Sequence, residues 1–129
     1  VRYILTEGQF DAPAESAVVD GLSARPGVEL PKDYTDFLKE HNGGEGFVGD
    51  NYIILFKAEE LGDFNREYEV EKYAPGILLF ASNGGGEGYG FDTEDPAKPI
   101  VRIPFIGMNR QSAEIIARDL ADLFSRLGQ

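Results

Sequence analysis

Side chains suited to acid–base or nucleophilic chemistry are unevenly supplied in this chain. His41 is the single histidine, and there is no cysteine. Thiolate nucleophiles, disulfides and cysteine-based metal sites are thereby excluded, and a Ser-His-Asp arrangement would have to use His41. That residue shares the apolar face of an expected helix with Tyr34, Phe37 and Leu38, within one turn of Asn42-Gly43-Gly44. A packing or capping role suits it, since cations are favoured at helix C-termini. Asp92, Glu94 and Asp95 could ligate a hard cation, but their spacing is not that of an EF-hand loop. Acids beside an Asp-Pro turn are ordinarily solvated. The acids as a whole are too numerous to single out a pair for glycoside chemistry. The expectation is no enzyme, no catalytic residue, no metal and no cofactor.

The run Asn83-Gly84-Gly85-Gly86 invites a phosphate-binding reading and fails it. No Gly-Lys-Ser/Thr follows, the spacing is not G-x-G-x-x-G, and the next element reads as a strand rather than a helix. Gly84, Gly85 and Gly86 are instead expected as a structural turn. Beside them, Glu87 and Tyr89 are the best candidates for partner contact. Tyrosine is an enriched interface anchor, and an acid can meet a basic partner. Asn83, and Glu45, Asp50 and Asn51 at another expected turn, complete the candidate binding set.

The elements that must hold these residues follow from periodicity. Ile77-Leu78-Leu79-Phe80 reads as a strand buried on both faces, and Glu87 to Asp92 as a second strand with aromatics at alternate positions. Gly88 and Gly90 lie on the face opposite the aromatics, where a helix of this chain or a partner can approach the backbone. Upstream, a helix is expected from Asp11-Ala12-Pro13 to Pro26-Gly27, and a second from Leu30-Pro31 to Asn42-Gly43-Gly44. Gly46 to Gly49 and Tyr52 to Phe56 read as a hairpin around Asp50-Asn51. Glu59 to Tyr68 reads as a helix, Ile100 to Ile103 as a strand between prolines, and residues 1–10 carry no clear period. The last helix starts near Ser112 or near Asp119. The short, turn-rich connections predict an α+β fold over one domain, residues 1–129. Its sheet is mainly antiparallel, of about four to six strands, with helices packed on one side.

Composition narrows the partners. The 129 residues include nine Phe and six Tyr, enough for a real core. Twenty-three acids against 12 bases give a net charge of −11. That disfavours a nucleic acid or an anionic membrane and suits a basic protein partner or a solvated surface. No apolar run approaches the roughly 20 residues of a membrane span, and the first residues are too short for a secretory signal. A cytoplasmic location is expected. The absence of an initiator Met leaves room for residues upstream of Val1.

Three stretches together resemble the SUKH superfamily, which contains the Smi/Knr-type cell-wall assembly regulators. They are Leu30-Pro31 through Tyr34, Phe37 and Leu38 to Asn42-Gly43-Gly44, then Glu60-Leu61 with Asn65, Tyr68 and Val70, and finally Phe80 to Asp92. A closing Asp119 to Phe124 is similar to the family's last amphipathic helix and favours its start near Asp119. The chain departs from the family pattern where Asn83 replaces an acid before the glycines. The resemblance implies binding rather than catalysis, on an α+β fold whose sheet offers a protein-binding groove. Its bacterial members imply an immunity protein that neutralises a polymorphic toxin with a basic surface. Its fungal members imply a regulatory or scaffolding adaptor.

Overall fold

The computed structural model describes residues 3–23 and 28–129. Its centre is a seven-stranded antiparallel meander whose spatial order is the chain order. The strands are β1 Thr6–Phe10, β2 Gly44–Val48, β3 Asn51–Leu55, β4 Ile77–Ser82, β5 Glu87–Asp92, β6 Ile100–Pro104 and β7 Glu114–Ala117. Helices α1 Ser16–Asp20 and α2 Lys32–Glu40 lie between β1 and β2. Helices α3 Leu61–Glu67 and α4 Val70–Tyr73 lie between β3 and β4, and α5 Leu120–Leu127 follows β7.

The α+β class stands as expected, with seven strands where about four to six were expected. Both edges account for the excess. Residues 6–10, without periodicity, add β1 against β2. Glu114–Ala117, which the start of the last helix near Asp119 leaves outside that helix, pairs with β6 as β7. Its two-residue apolar run, Ile115-Ile116, fits either period, so only the pairing partner decides. Asp119 then caps α5, its carboxylate accepting the Asp122 N–H at 2.8 Å, which sets the helix start at Leu120.

The first helix is shorter than expected because its expected start is bonded elsewhere. The Asp11 N–H donates to the Gly43 carbonyl at 2.9 Å and the Ala14 N–H to that of Leu38 at 3.0 Å, so residues 11–14 run beside the end of α2. Glu15 rather than Asp11 precedes the first helical residue. The expected stop at Pro26-Gly27 lies outside the described residues; α1 itself ends before Gly21. The expected helix from Glu59 begins as a 3-10 turn, Ala58–Glu60, and runs on as α3. Glu69, at φ 53°, then breaks it from α4, an element that periodicity did not separate.

Between the sheet and α2 the core is aromatic. Phe80 and Phe91 stack at 4.5 Å, and Tyr34 from α2 lies 5.2 and 5.1 Å from them. Nearby, Phe37 of α2, Phe124 of α5 and Tyr3 form edge-on pairs, Tyr3 lying 5.0 and 4.9 Å from the other two. The close approach anticipated at Gly88 and Gly90 comes from the chain itself. A Cβ on Gly88 would stand 2.8 Å from Phe105 and 2.9 Å from Leu79, and one on Gly90 2.8 Å from Ile77.

The Tyr34 hydroxyl sits in this core without a hydrogen-bond partner among the described residues. Burial raises its pKa far above the phenolic range, because the phenolate would lie among apolar groups. Removing the oxygen removes an unpaired buried dipole, so Tyr34→Phe is expected to stabilise the fold by about 1 kcal/mol. The shift adds a pH dependence. With the folded pKa above the unfolded one of about 10, its stabilisation is complete below that pH. It is lost as pH rises further, because the unfolded phenol ionises first. Urea midpoints for both proteins between pH 8 and 11 should therefore diverge above pH 10, where only the protein with Tyr34 loses stability; an unchanged gap would contradict a neutral buried phenol.

Candidate functional site

The β2–β3 hairpin and the β4–β5 hairpin carry the candidate binding residues, and strand alternation sorts them. On β3, Ile53 and Leu55 point into the core, and Asn51 shares their side, its Nδ2 donating to the Leu127 carbonyl at the end of α5 (2.7 Å). Tyr52 and Ile54 take the opposite face with Glu45 and Phe47 of β2. There the Tyr52 hydroxyl donates to the Glu45 carboxylate, and its ring packs edge-on against Phe47 at 5.0 Å. The bond to Glu45 is the main reason the Tyr52 pKa is raised. A Cβ on Gly84 would stand 3.3 Å from the Tyr52 ring, so Tyr52 joins Glu45 to the glycine turn. Tyr52 was not among the candidates. Its position opposite Phe47 in the hairpin register is the signal that could have found it.

Of the predicted residues, Asp50 is exposed in the β2–β3 turn, and Asn51 stands in β3 rather than in the turn. Glu87 is engaged within the chain: it accepts from Asn83 Nδ2 at 3.0 Å and lies 3.5 Å from Arg102, which also pairs with Glu114 at 3.2 Å. Tyr89 is 3% exposed. It lies between Ala81 and Arg102 in register, so its bulk belongs to the sheet interior and not to an open contact surface. This corrects its expected role as an anchor. Gly84 and Gly86 have φ of 74° and 101°, conformations that side-chain-bearing residues avoid.

Other chemical candidates are occupied by the fold. The His41 ring stacks on Phe10 at 4.4 Å. The Asp92 carboxylate accepts two bonds from Arg110, at 3.0 and 2.9 Å, and Glu94 lies 3.7 Å from the same guanidinium. Among the described residues no group of three or more His, Asp or Glu is placed to hold a metal ion. No described helix is long and apolar enough to cross a membrane.

Three asparagines do the work of backbone groups. Asn42 Oδ1 accepts the Ala58 N–H at 2.7 Å and its Nδ2 donates to Glu59 at 2.9 Å, tying the end of α2 to the turn before α3. Asn65 Oδ1 accepts the Leu79 N–H at 2.9 Å, and its Nδ2 donates to the carbonyls of Leu79 (2.9 Å) and Leu61 (2.8 Å). The β3–β4 pairing stops at Leu55↔Ala81, so this side-chain amide continues the ladder where β3 has left. Asn83 Oδ1 accepts from Gly85 (2.8 Å) and Glu87 (3.2 Å), closing the glycine turn. Its donation to the Glu87 carboxylate needs an amide. An acid at position 83 would set two carboxylates together.

The profile of the SMI1 / KNR4 family (SUKH-1) matches residues 13–126. This chain belongs to that family. Among curated proteins, the SUKH-1 chain is similar to an uncharacterized protein of Bacillus subtilis (strain 168), YnaB, at 32% identity over 83 residues. That match covers 64% of this chain and 49% of YnaB, so it spans about half the length of the relative. All three asparagines lie within the SUKH-1 match and bond chiefly within the scaffold. The face bearing Glu45, Phe47, Tyr52 and Ile54 lies next to the glycine turn.

Proposed function

We propose that this SUKH-1 domain is a cytoplasmic bacterial immunity protein that binds and occludes a polymorphic toxin domain, without catalysis of its own. The observation that carries the reading is the family match over residues 13–126. The charge supports it: a chain at −11 is suited to a basic toxin surface, and the exposed acids Glu45 and Asp50 would add to the field that steers one in. A single folded unit over residues 1–129 is part of the same proposal.

The test is protection. Co-expression with the toxin domain encoded beside this gene is expected to rescue growth, and the purified pair to form a stoichiometric complex. Association should slow by about tenfold or more from 20 to 300 mM salt, because screening shortens the reach of the acidic field. A complex whose association rate ignores salt refutes the steering. No protection and no complex with any neighbouring toxin refutes the immunity reading. Capture of several endogenous signalling proteins instead would support the adaptor role.

A further inference from the structure

Beside the Glu45–Tyr52 pair, the chain leaves a groove of about 400 Å3 between β1, β2, β3 and the start of α3. Its wall on one side is the irregular stretch of β1. Thr6 pairs with Phe47 and Gln9 with Glu45, so Glu7 and Gly8 bulge out of register, and Gly8 lines the groove. Ile54 and Phe64 give it an apolar lining, with Phe56 stacked on Phe64 at 4.2 Å. Among the described residues that line it, Asp11, Glu45 and Glu60 are acidic and Lys57 alone is basic, with Glu60 Oε1 accepting the Lys57 backbone N–H at 2.9 Å.

The charge and the shape select the occupant. An anion would meet an excess of carboxylates, and a wholly apolar group would desolvate them without a partner. A metal ion needs converging oxygens, and no described group of three acids is close enough to supply them. An organic cation on an apolar stem fits both surfaces, its stem along Ile54 and Phe64 and its head at the rim. The carboxylates are spread around the groove, so a planar head with five donors reaches more than one of them. An ammonium acts as a single point charge.

We propose that this groove receives an arginine side chain presented by the partner protein. The assignment of that arginine to a toxin rests on the immunity reading above, whereas the groove's preference for a guanidinium does not. The groove then serves as a specificity pocket, in which Glu45, whose carboxylate accepts from the Tyr52 hydroxyl, is one of the lining acids.

The experiment is a titration of the 15N-labelled chain with N-acetyl-arginine methylamide, followed by amide shifts, with the neutral citrulline analogue as the comparison. Saturable shifts are expected at Gly8, Gly44, Glu45 and Phe64, with the citrulline compound bound about tenfold or more weakly. Glu45→Gln and, separately, Asp11→Asn should each weaken arginine binding several-fold while keeping a folded spectrum. Asp36→Asn, on the exposed side of α2, should leave it unchanged. Shifts scattered over the acidic surface, equal binding of both compounds, or unchanged affinity in both groove variants would overturn the proposal. None of these outcomes bears on toxin protection, so the two readings fail separately.

Discussion

Phe91→Ala is expected to lower the unfolding free energy by about 3–5 kcal/mol, measured by urea denaturation with the slope unchanged. Phe91 is fully buried, stacked on Phe80 at 4.5 Å and packed on Tyr34 at 5.1 Å. Neither neighbour can follow the missing ring. Phe80 is fixed in β4, whose backbone pairs with β5, and Tyr34 in the first turn of α2. The truncation therefore leaves a cavity where helix and sheet meet. A loss below about 1 kcal/mol would show that the interface collapses and that this stack does not hold α2 on the sheet. Tyr89→Ala, two residues earlier on the same strand face, is expected to destabilise as well, given its 3% exposure. Reduced partner binding by that variant would report folding rather than contact.

Asn65→Leu is expected to cost about 2–4 kcal/mol although it adds apolar surface at nearly constant size. The substitution strands the Leu79 N–H and C=O, which lose bonds of 2.9 Å each, and buried backbone groups without partners cost about 1–3 kcal/mol apiece. Asn65→Asp separates this account from simple packing. The carboxylate still accepts from Leu79 N–H, but it cannot donate, and it faces two carbonyls that Asn65 now satisfies. A loss at least as large as that of Asn65→Leu is expected, easing as pH falls and the acid protonates. Amide exchange at Leu79 should quicken in Asn65→Leu before the rest of β4, whereas the carboxylate of Asn65→Asp still accepts that N–H. If Leu79 stays protected in Asn65→Leu, another group completes the ladder.

The glycine turn and its two strands were legible in the sequence because both rest on local rules. Four large apolar residues, a run of glycines and alternating aromatics each specify backbone conformation without outside help, and β4 and β5 lie where those rules place them. The same holds for α2, bounded by Pro31 and by the glycines after Asn42. The edge strands were not legible. Thr6–Phe10 is mostly exposed and has no alternating pattern, so nothing in it announces pairing until β2 lies alongside. Around the candidate site, nothing local announced the bond between Tyr52 and Glu45, and Tyr89, expected as a contact residue, is 3% exposed.

The sequence by itself therefore determined the α+β class, the central hairpin and the family, since period, turn chemistry and motif order are written within short spans. It also determined the acidic character that any partner must meet. Only the tertiary structure decided which polar side chains are bonded within the scaffold. The bonds that Asn42, Asn65 and Asn83 make are set only when Ala58, Leu79 and Glu87 arrive as their partners. Glu45 and the glycine turn are joined only because β3 sets Tyr52 between them. A hydrogen bond between distant residues depends on the register of strands that no local pattern encodes. A side chain's role is settled when its neighbours take their places.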